Sequence, residues 1–242
     1  MSQELENSNN NKISKKSKVR PIRSYGRIKS RKLSNYKKDL LSNFLPNLLV
    51  KDCQELEPLI AKGQFDSNIL EIGSGFGDFI IAKSQNQPQN FFLAVEPHLN
   101  GVVSILSKIA ESSISNIRIS NQDVREFLIS LKKPLFNHIY VLFPDPWPKK
   151  KHSKRRLINS QFLDFLANIS VDDADLTIAT DDDEYKAIIT ASILQNNKWH
   201  WSLESKANWQ DFPKDWTSTK YQNKAAAEGR KSAIFLLKKP RS

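Results

Sequence analysis

Between residues 67 and 180, short runs of β-branched and aromatic residues alternate with longer amphipathic segments. This alternation limits the fold more than any other feature, because strands joined by helices form a mostly parallel sheet that is covered by helices on both faces. The candidate strands are 67–72, 91–96, 116–120, 137–143, 175–180 and 232–238. We predict a doubly wound, mostly parallel α/β sheet, in which the last strands lack intervening helices and form an antiparallel edge hairpin.

The first forty residues carry most of the net charge. They hold twelve Lys or Arg against three acidic residues, so +9 of the formal +11 lies there. We predict that residues 1–22 form a disordered basic arm, followed by one domain over residues 23–242 that begins with a helix between Tyr36 and Leu49. Such an arm suits a polyanion such as nucleic acid, but it is also compatible with a solvated tail. An anionic membrane is a poorer partner, because the arm has no apolar face.

Cysteine and histidine usage excludes several classes of protein. Cys53 is the single cysteine of the chain, so we expect no internal disulfide and no thiolate metal cluster, in keeping with a reducing cytoplasm. The four histidines are scattered without ligand spacing, and we predict no metal. The longest purely apolar runs are strand-sized, and we predict no membrane association.

A glycine-rich turn follows the first candidate strand. Gly73, Gly75 and Gly77 have the spacing G-x-G-x-G and allow the backbone to approach a ligand closely, although such a turn also occurs without a ligand. The dinucleotide motif has the spacing G-x-G-x-x-G, and Asp78 would repel a pyrophosphate. The turn therefore favours a cofactor without phosphates.

Carboxylates stand at the ends of the first three candidate strands. Glu96 can accept both hydroxyl hydrogen bonds of a ribose, or balance the dipole of the next helix. Asp123 can accept from an adenine amino group, or simply cap the helix after it. S-adenosylmethionine fits these carboxylates best, because its sulfonium is a cation and its tail lacks phosphates. Glu71 can add negative charge near the methionine end of this cofactor.

The fourth candidate strand ends in FPDPW. Pro144 and Pro146 restrict the backbone, so they hold Asp145 in one orientation at low entropic cost. Trp147 can stack on a base or shield a pocket from water, and a purely structural turn is the alternative. The basic run KKKHSKRR follows as a flexible electrostatic continuation, in which Lys149 is the residue that we expect to touch substrate.

The fifth candidate strand ends in a cluster of acidic residues. We predict that Asp181 caps the next helix, with Glu184 completing a capping box three positions later. Because parallel strands end at the same edge, Asp181 is also expected to face the same side as Asp145.

Several segments together resemble the bacterial tRNA (guanine-N7)-methyltransferase family. The matching pieces are LEIGSGFGDF, AVEPHLNG, the aspartate of NQDVREFL, FPDPWPKKKHSKRRLINSQFLDFLA, ATDDDEY and the C-terminal TKY. The likeness runs from about residue 23 to about residue 239. The FPDPW block with its basic run is the most specific piece, whereas the glycine motif is shared with methyltransferases in general.

The resemblance implies a Rossmann-like class I methyltransferase fold and methyl transfer from S-adenosylmethionine to N7 of a guanine in the variable loop of tRNA. The implied cofactor-binding residues are Glu71, Gly73, Gly75, Glu96, Asp123 and Asp145, with Asp145 also catalytic. The implied substrate-binding residues are Lys149, Asp181, Thr219, Lys220, Tyr221 and Gln222. The family usually has glutamate where Gln222 stands, so the charge is lost here. Both a monomer and a homodimer remain open.

Guanine N7 carries a lone pair and no proton, so methyl transfer needs no general base. We expect catalysis from alignment, exclusion of water and a carboxylate near the ring. The main alternative is a non-catalytic RNA-binding protein on a methyltransferase-like scaffold. The glycine spacing disfavours a nicotinamide-dependent dehydrogenase, and the basic arm disfavours a methyltransferase that acts on a small molecule or a protein.

Overall fold

The computed structural model describes residues 33–201, 209, 212–214 and 216–241. The helices are α1 (Asn35–Asp39), α2 (Leu56–Gly63), α3 (Asp78–Asn86), α4 (Leu99–Ala110), α5 (Val124–Phe127), α6 (Ser160–Ile169), α7 (Asp183–Leu194) and α8 (Lys220–Ala227). The strands are β1 (Asn68–Ile72), β2 (Phe91–Val95), β3 (Ile117–Ser120), β4 (Phe136–Leu142), β5 (Ser170–Thr180), β6 (His200–Trp201) and β7 (Ala233–Lys238). Short π- or 3₁₀-helical turns occupy Leu40–Phe44, Leu45–Asn47, Cys53–Glu55 and Lys150–Arg155.

The strands form a single mixed sheet in the order β3-β2-β1-β4-β5-β7-β6. Strands β1 to β5 are parallel, whereas β7 runs antiparallel to both β5 and β6. The predicted doubly wound class and its antiparallel C-terminal edge are confirmed. The winding reverses between β1 and β4, which is where a sheet of this kind opens a crevice for a ligand.

The prediction that the last strands lack intervening helices is wrong. Helix α7 lies between β5 and β6, and α8 lies between β6 and β7. Both helices begin at a polar cap, because the side chains of Asp182 and Thr219 accept hydrogen bonds from the backbone N–H groups of Tyr185 and Gln222. Strand β5 also begins earlier than predicted, and the register between β4 and β5 shifts near its start.

Each face of the sheet carries its own apolar cluster. Strand β2 is buried along its whole length, as the run FFLAV predicts for a central parallel strand. One cluster packs α6 and α7 against the sheet and includes the buried Cys53. The other packs α3 and α4 against the opposite face.

The predicted N-terminal helix is present as α1 with the two short helical turns that follow it. Leu40, Leu45 and Leu48 are buried against the α3/α4 face of the sheet. The chain then pairs with β3, since Val50 donates its N–H to Ile119 O at 2.8 Å. The predicted basic arm lies outside the described residues.

Candidate active site

A cavity of about 550 Å³ opens at the carboxyl ends of the parallel strands, at the point where the winding reverses. This is the position expected for a ligand in an open α/β sheet. Six of the predicted site residues line it: Gly73, Gly75, Glu96, Asp123, Asp145 and Tyr221. The fold therefore brings together residues that are up to 148 positions apart in the chain.

The glycine turn between β1 and α3 forms one wall of this cavity. Gly75 and Gly77 have φ angles of 54° and 79°, which residues with a side chain rarely adopt. A Cβ atom on Gly77 would also lie 2.6 Å from Ile105 Cγ1 of α4. Asp78 forms an ion pair with Lys108, so the negative charge that we expected to repel a phosphate is balanced.

Glu96 follows β2 and is 3 % exposed. Its Oε2 accepts a hydrogen bond from the N–H of Gly75 and its Oε1 accepts one from the N–H of His98, each at 2.7 Å. Burial raises the pKa of Glu96, and these two hydrogen bonds oppose that shift. Each carboxylate oxygen can accept a second hydrogen bond, so Glu96 remains able to bind ligand hydroxyls.

Asp123 is both a helix cap and a cavity residue. It accepts from the N–H of Arg125 at 3.0 Å and forms a bidentate ion pair with the Arg125 guanidinium. Burial opposes ionisation of Asp123, but the hydrogen bonds and charge of Arg125 outweigh it, and the pKa lies below its ordinary value. Asp123 therefore caps α5 and lines the cavity at the same time, so both of its predicted roles are compatible with the structure.

Glu71 lies beneath the glycine turn and is 3 % exposed. Its Oε2 has no hydrogen-bond partner among the described residues. Burial, with smaller contributions from the charges of Glu96 and Asp78, raises the pKa of Glu71 to about 8. A small void of about 20 Å³ adjoins this carboxylate and is also lined by Thr219, Lys220 and Tyr221.

Asp145 is exposed on the loop after β4 and lines the cavity. The first and last residues of the predicted rigid segment FPDPW, Phe143 and Trp147, have φ angles of 52° and 45°. Left-handed conformations are costly for residues with bulky side chains, and they persist only where the surroundings enforce them. The surroundings of the loop therefore hold its backbone in a strained conformation, and the two prolines restrict it further.

The basic run is more ordered than its composition suggests. Residues Lys150–Arg155 form a 3₁₀ helix, preceded by Lys149, whose side chain is exposed. Arg155 places its guanidinium carbon 4.9 Å from the centre of the Trp147 ring. Arg156 is buried against the FPDPW loop. Arg155 and Arg156 at this end of the run therefore have defined contacts with the loop, whereas the predicted flexibility of the run stays a prediction.

The predicted cap after β5 is displaced by one residue, and the predicted capping box does not form. Asp182 accepts from the N–H of Tyr185 at 2.7 Å, and α7 begins at Asp183. Asp181 instead accepts from Arg230 Nε at 2.7 Å, and Glu184 pairs with Arg156. The capping box does not form because Glu184 lies two positions after Asp182 instead of three, and because its carboxylate pairs with Arg156.

The start of α8 lies over the glycine turn. A Cβ atom on Gly75 would lie 3.4 Å from Tyr221 Cε2, and the Lys220 amine is 4.6 Å from the centre of the Phe76 ring. Burial, followed by the charges of Glu96 and Asp145, raises the pKa of Tyr221. Gln222 turns toward its own segment, where its Oε1 accepts from Trp216 Nε1 at 2.7 Å.

Gly101 is a site residue that the sequence reasoning missed. A Cβ atom at this position in α4 would lie 2.5 Å from Gly75 O and 2.6 Å from Glu96 Cγ. The helix can therefore pack against the glycine turn and the acidic side chain only with glycine here. The sole signal in the sequence was the glycine that ends AVEPHLNG.

Two negative findings apply to the described part of the chain. Its residues include no group of three or more histidine, cysteine, aspartate or glutamate side chains placed to hold a metal ion. None of the helices within residues 33–201, 209, 212–214 and 216–241 combines the length and the hydropathy that a membrane span requires.

Comparisons with known proteins agree with this geometry. The model of a family described as "Putative methyltransferase" matches residues 66–234. A tRNA (guanine-N(7)-)-methyltransferase of Rhodospirillum rubrum is 34% identical over 223 residues, which cover 90% of this chain and 88% of that protein. A tRNA (guanine-N(7)-)-methyltransferase of Agrobacterium fabrum is 32% identical over 87% of this chain and 92% of that protein. The solved structure of the 16S rRNA methyltransferase KamB is 13% identical in sequence and has a TM-score of 0.58. The match covers 78% of this chain and 94% of the KamB chain, and it supports the fold alone.

Proposed function

This chain belongs to the tRNA (guanine-N(7)-)-methyltransferase family, and we propose that it transfers a methyl group from S-adenosylmethionine to N7 of a guanine in the variable loop of tRNA. The observation that carries the proposal is the acidic character of the site at the reversal of the sheet. Glu71, Glu96 and Asp145 surround the glycine turn and the cavity, and this set of carboxylates suits a cationic nucleoside cofactor.

The described residues fit S-adenosylmethionine. Glu71 Oε2 is a buried acceptor without a partner among these residues, which suits a cationic group such as the cofactor's amine. The cavity of about 550 Å³ lies within the usual range for ligand sites. In this arrangement Glu96 binds the ribose hydroxyls and Asp123 accepts from the adenine amino group. When bound, the cofactor supplies an electrophilic methyl group on its sulfonium.

The chain's own contribution to catalysis is alignment and electrostatics. Because guanine N7 carries a lone pair and no proton, no residue has to act as a general base. Positive charge appears on the guanine ring as the methyl group is transferred, and the Asp145 carboxylate is fixed where it can stabilise that charge and orient the base. Fixed orientation lowers the entropic cost of bringing the two reactants together.

The substrate enters from the side where α8 and the basic run meet the cavity. Tyr221, Lys220 and Thr219 form the start of α8, and Lys149 follows the FPDPW loop with an exposed amine. We assign these residues and Asp181 to contacts with tRNA or the target guanine. Gln222 acts indirectly in this scheme, because its amide oxygen already binds Trp216.

The N-terminal basic residues add electrostatic affinity for tRNA, and the reaction belongs to the cytoplasm, where this substrate resides. Salt should therefore weaken tRNA binding, since each phosphate contact releases counterions. The alternative, a non-catalytic RNA-binding protein, needs no cofactor. Equilibrium dialysis of the purified chain with labelled S-adenosylmethionine separates the two.

The direct test is nucleoside mass spectrometry. The full chain is incubated with an unmodified tRNA transcript and S-adenosylmethionine, and the tRNA is digested to nucleosides. We expect 7-methylguanosine, and we expect none with a transcript in which the variable-loop guanine is replaced by adenine. Failure to detect 7-methylguanosine in the first transcript would overturn the proposal.

A further inference from the structure

Arg156 differs from the other basic residues that follow the FPDPW loop. Its side chain is 8 % exposed, whereas Lys149, Lys150 and Lys154 are exposed. A guanidinium that is this buried is poorly placed to contact a phosphate on the surface, and its burial is tolerated only when its donors are paired. The function of Arg156 therefore has to be found inside the protein.

Arg156 is bonded to the backbone of the loop that carries Asp145. Its Nε donates to Pro146 O at 2.8 Å, and its Nη2 donates to Trp147 O at 3.3 Å. The planar guanidinium presents several donors in a fixed geometry, which suits two neighbouring carbonyl oxygens. One side chain thus binds the two peptide carbonyls that directly follow Asp145.

The same guanidinium is anchored to α7. Its Nη2 also donates to Glu184 Oε1 at 2.6 Å, and its carbon lies 6.0 Å from the centre of the buried Tyr185 ring. Tyr185 in turn accepts a hydrogen bond from the N–H of Ile158 at 2.9 Å. Arg156 thereby joins the loop after β4 to the first turn of the helix after β5.

The loop needs such support because its backbone is strained. Trp147 has a φ angle of 45°, which is unfavourable for an aromatic residue and requires external contacts to persist. One of the contacts that Arg156 makes is with the carbonyl oxygen of this residue. Without it, the segment from Pro146 to Trp147 can relax, and Asp145 moves with it.

We propose that Arg156 is a positioning residue that clamps the carbonyls of Pro146 and Trp147 and so holds the Asp145 carboxylate in its reactive orientation at the cavity. The effect of Arg156 on catalysis rests on the proposed methyl transfer, whereas its effect on the conformation of the loop does not. The clamp assigns Arg156 a role distinct from that of the exposed lysines of the basic run.

The test compares Arg156→Met with Arg156→Lys and with Arg241→Met. Arg241 forms an ion pair with Asp173 near the opposite edge of the sheet, so its replacement removes the same charge and leaves the loop intact. Single-turnover methyl transfer at saturating cofactor and tRNA gives the rate, and its dependence on tRNA concentration gives the affinity. Tryptic cleavage between residues 149 and 155, followed by mass spectrometry, reports loop order without any need for activity.

We expect Arg156→Met to lower the saturated rate on the order of 100-fold, the cost of a small misplacement of a reacting group, with tRNA affinity close to that of wild type. Arg156→Lys should recover part of the rate, because its ammonium group can still donate to one of the two carbonyls but lacks the planar geometry of the guanidinium. Cleavage within the basic run should be faster in Arg156→Met, and Arg241→Met should match wild type in both measurements.

The outcomes separate this inference from the proposed function. An active wild type in which Arg156→Met loses only tRNA affinity, with unchanged cleavage, overturns the clamp and makes Arg156 a phosphate contact. A wild type that forms no 7-methylguanosine overturns the proposed function, and faster cleavage in Arg156→Met then still supports the clamp, whereas unchanged cleavage refutes it.

Discussion

The carboxylate of Glu96 accepts a hydrogen bond from the backbone N–H of Gly75 at 2.7 Å. This contact ties the end of β2 to the glycine turn after β1, so two walls of the cofactor cavity are fixed relative to each other. A buried carboxylate that is already held by backbone N–H groups needs little reorganisation when a ligand arrives. The site is therefore preorganised at the position where we expect the ribose.

Replacing Gly101 with alanine should disrupt this arrangement. The added Cβ would lie 2.5 Å from Gly75 O, so α4 or the glycine turn must shift. We expect cofactor affinity to fall at least tenfold, measured by calorimetry. As a control, Ser107→Ala in the same helix removes only a hydroxyl bonded within α4 and should leave affinity unchanged. Normal cofactor binding in Gly101→Ala would contradict the proposed packing constraint.

Glu71 should make stability and cofactor affinity depend on pH. Burial raises the pKa of this residue to about 8, so the folded state holds a proton that the unfolded state releases near pH 4.5. Folding is therefore penalised progressively as pH rises from about 4.5 to 8, and the penalty is complete above 8. Glu71→Gln should remove this part of the pH dependence of the free energy of unfolding.

Cofactor binding should show the opposite trend at Glu71. A cationic ligand favours the ionised carboxylate, so the affinity of the wild type, relative to that of Glu71→Gln, should rise as the pH approaches about 8. Because the cofactor's own α-amino group titrates at about pH 8, the informative quantity is the difference between wild type and Glu71→Gln. Parallel affinity profiles for the two proteins would exclude Glu71 as a contact of the cation.

Asp145→Asn should separate catalysis from binding. The substitution keeps the shape of the side chain and removes the charge that stabilises the guanine ring during methyl transfer. We expect the single-turnover rate to fall on the order of 100-fold, as for the loss of one preorganised electrostatic contact, while tRNA binding by filter assay is retained. Turnover near the wild-type rate would show that the Asp145 charge is not required.

Gln222→Glu distinguishes an internal role of this residue from direct contact with tRNA. Glutamate can still accept from Trp216 Nε1, so the start of α8 should stay in place and activity should be retained. Gln222→Leu loses the acceptor and should lower activity by releasing Trp216. If Gln222 instead contacts a phosphate, the added charge of Gln222→Glu will weaken tRNA binding, with a clear salt dependence.

Tyr185→Phe should lower stability. The Tyr185 hydroxyl accepts from the buried N–H of Ile158, and its removal leaves that donor without a partner. An unsatisfied buried donor costs about 1–3 kcal/mol, which urea unfolding can resolve. Tyr36→Phe, at an exposed position, is the matched control and should have no effect. Equal stability of the two variants would show that water replaces the lost acceptor.

The parts of the site that the sequence predicted share one physical basis. Alternating strands and helices imply a parallel sheet, and the carboxyl ends of parallel strands meet at one edge. Glu96, Asp123 and Asp145 could therefore be assigned to one cavity from their positions directly after candidate strands. The observed cavity contains all three.

The parts that the sequence missed depend on partners far away in the chain. Arg156 looks like any other cation of the basic run, but in the fold it is buried and pairs with Glu184, 28 positions later. Gly101 looks like a helix glycine until the turn at Gly75 is seen against it. Local pattern also placed the cap of α7 at Asp181, whereas Arg230 engages that side chain and Asp182 caps the helix.

Sequence patterns predict six of the seven strands in the described residues, the parallel course of the first five and the edge at which the acidic side chains gather, because periodicity and turn chemistry are local properties. Which basic residue is buried, which acidic residues are paired and how Asp145 is held become visible only in the folded chain. Those outcomes depend on desolvation and on the geometry of hydrogen bonds between distant segments, such as the one from Arg156 Nε to Pro146 O at 2.8 Å.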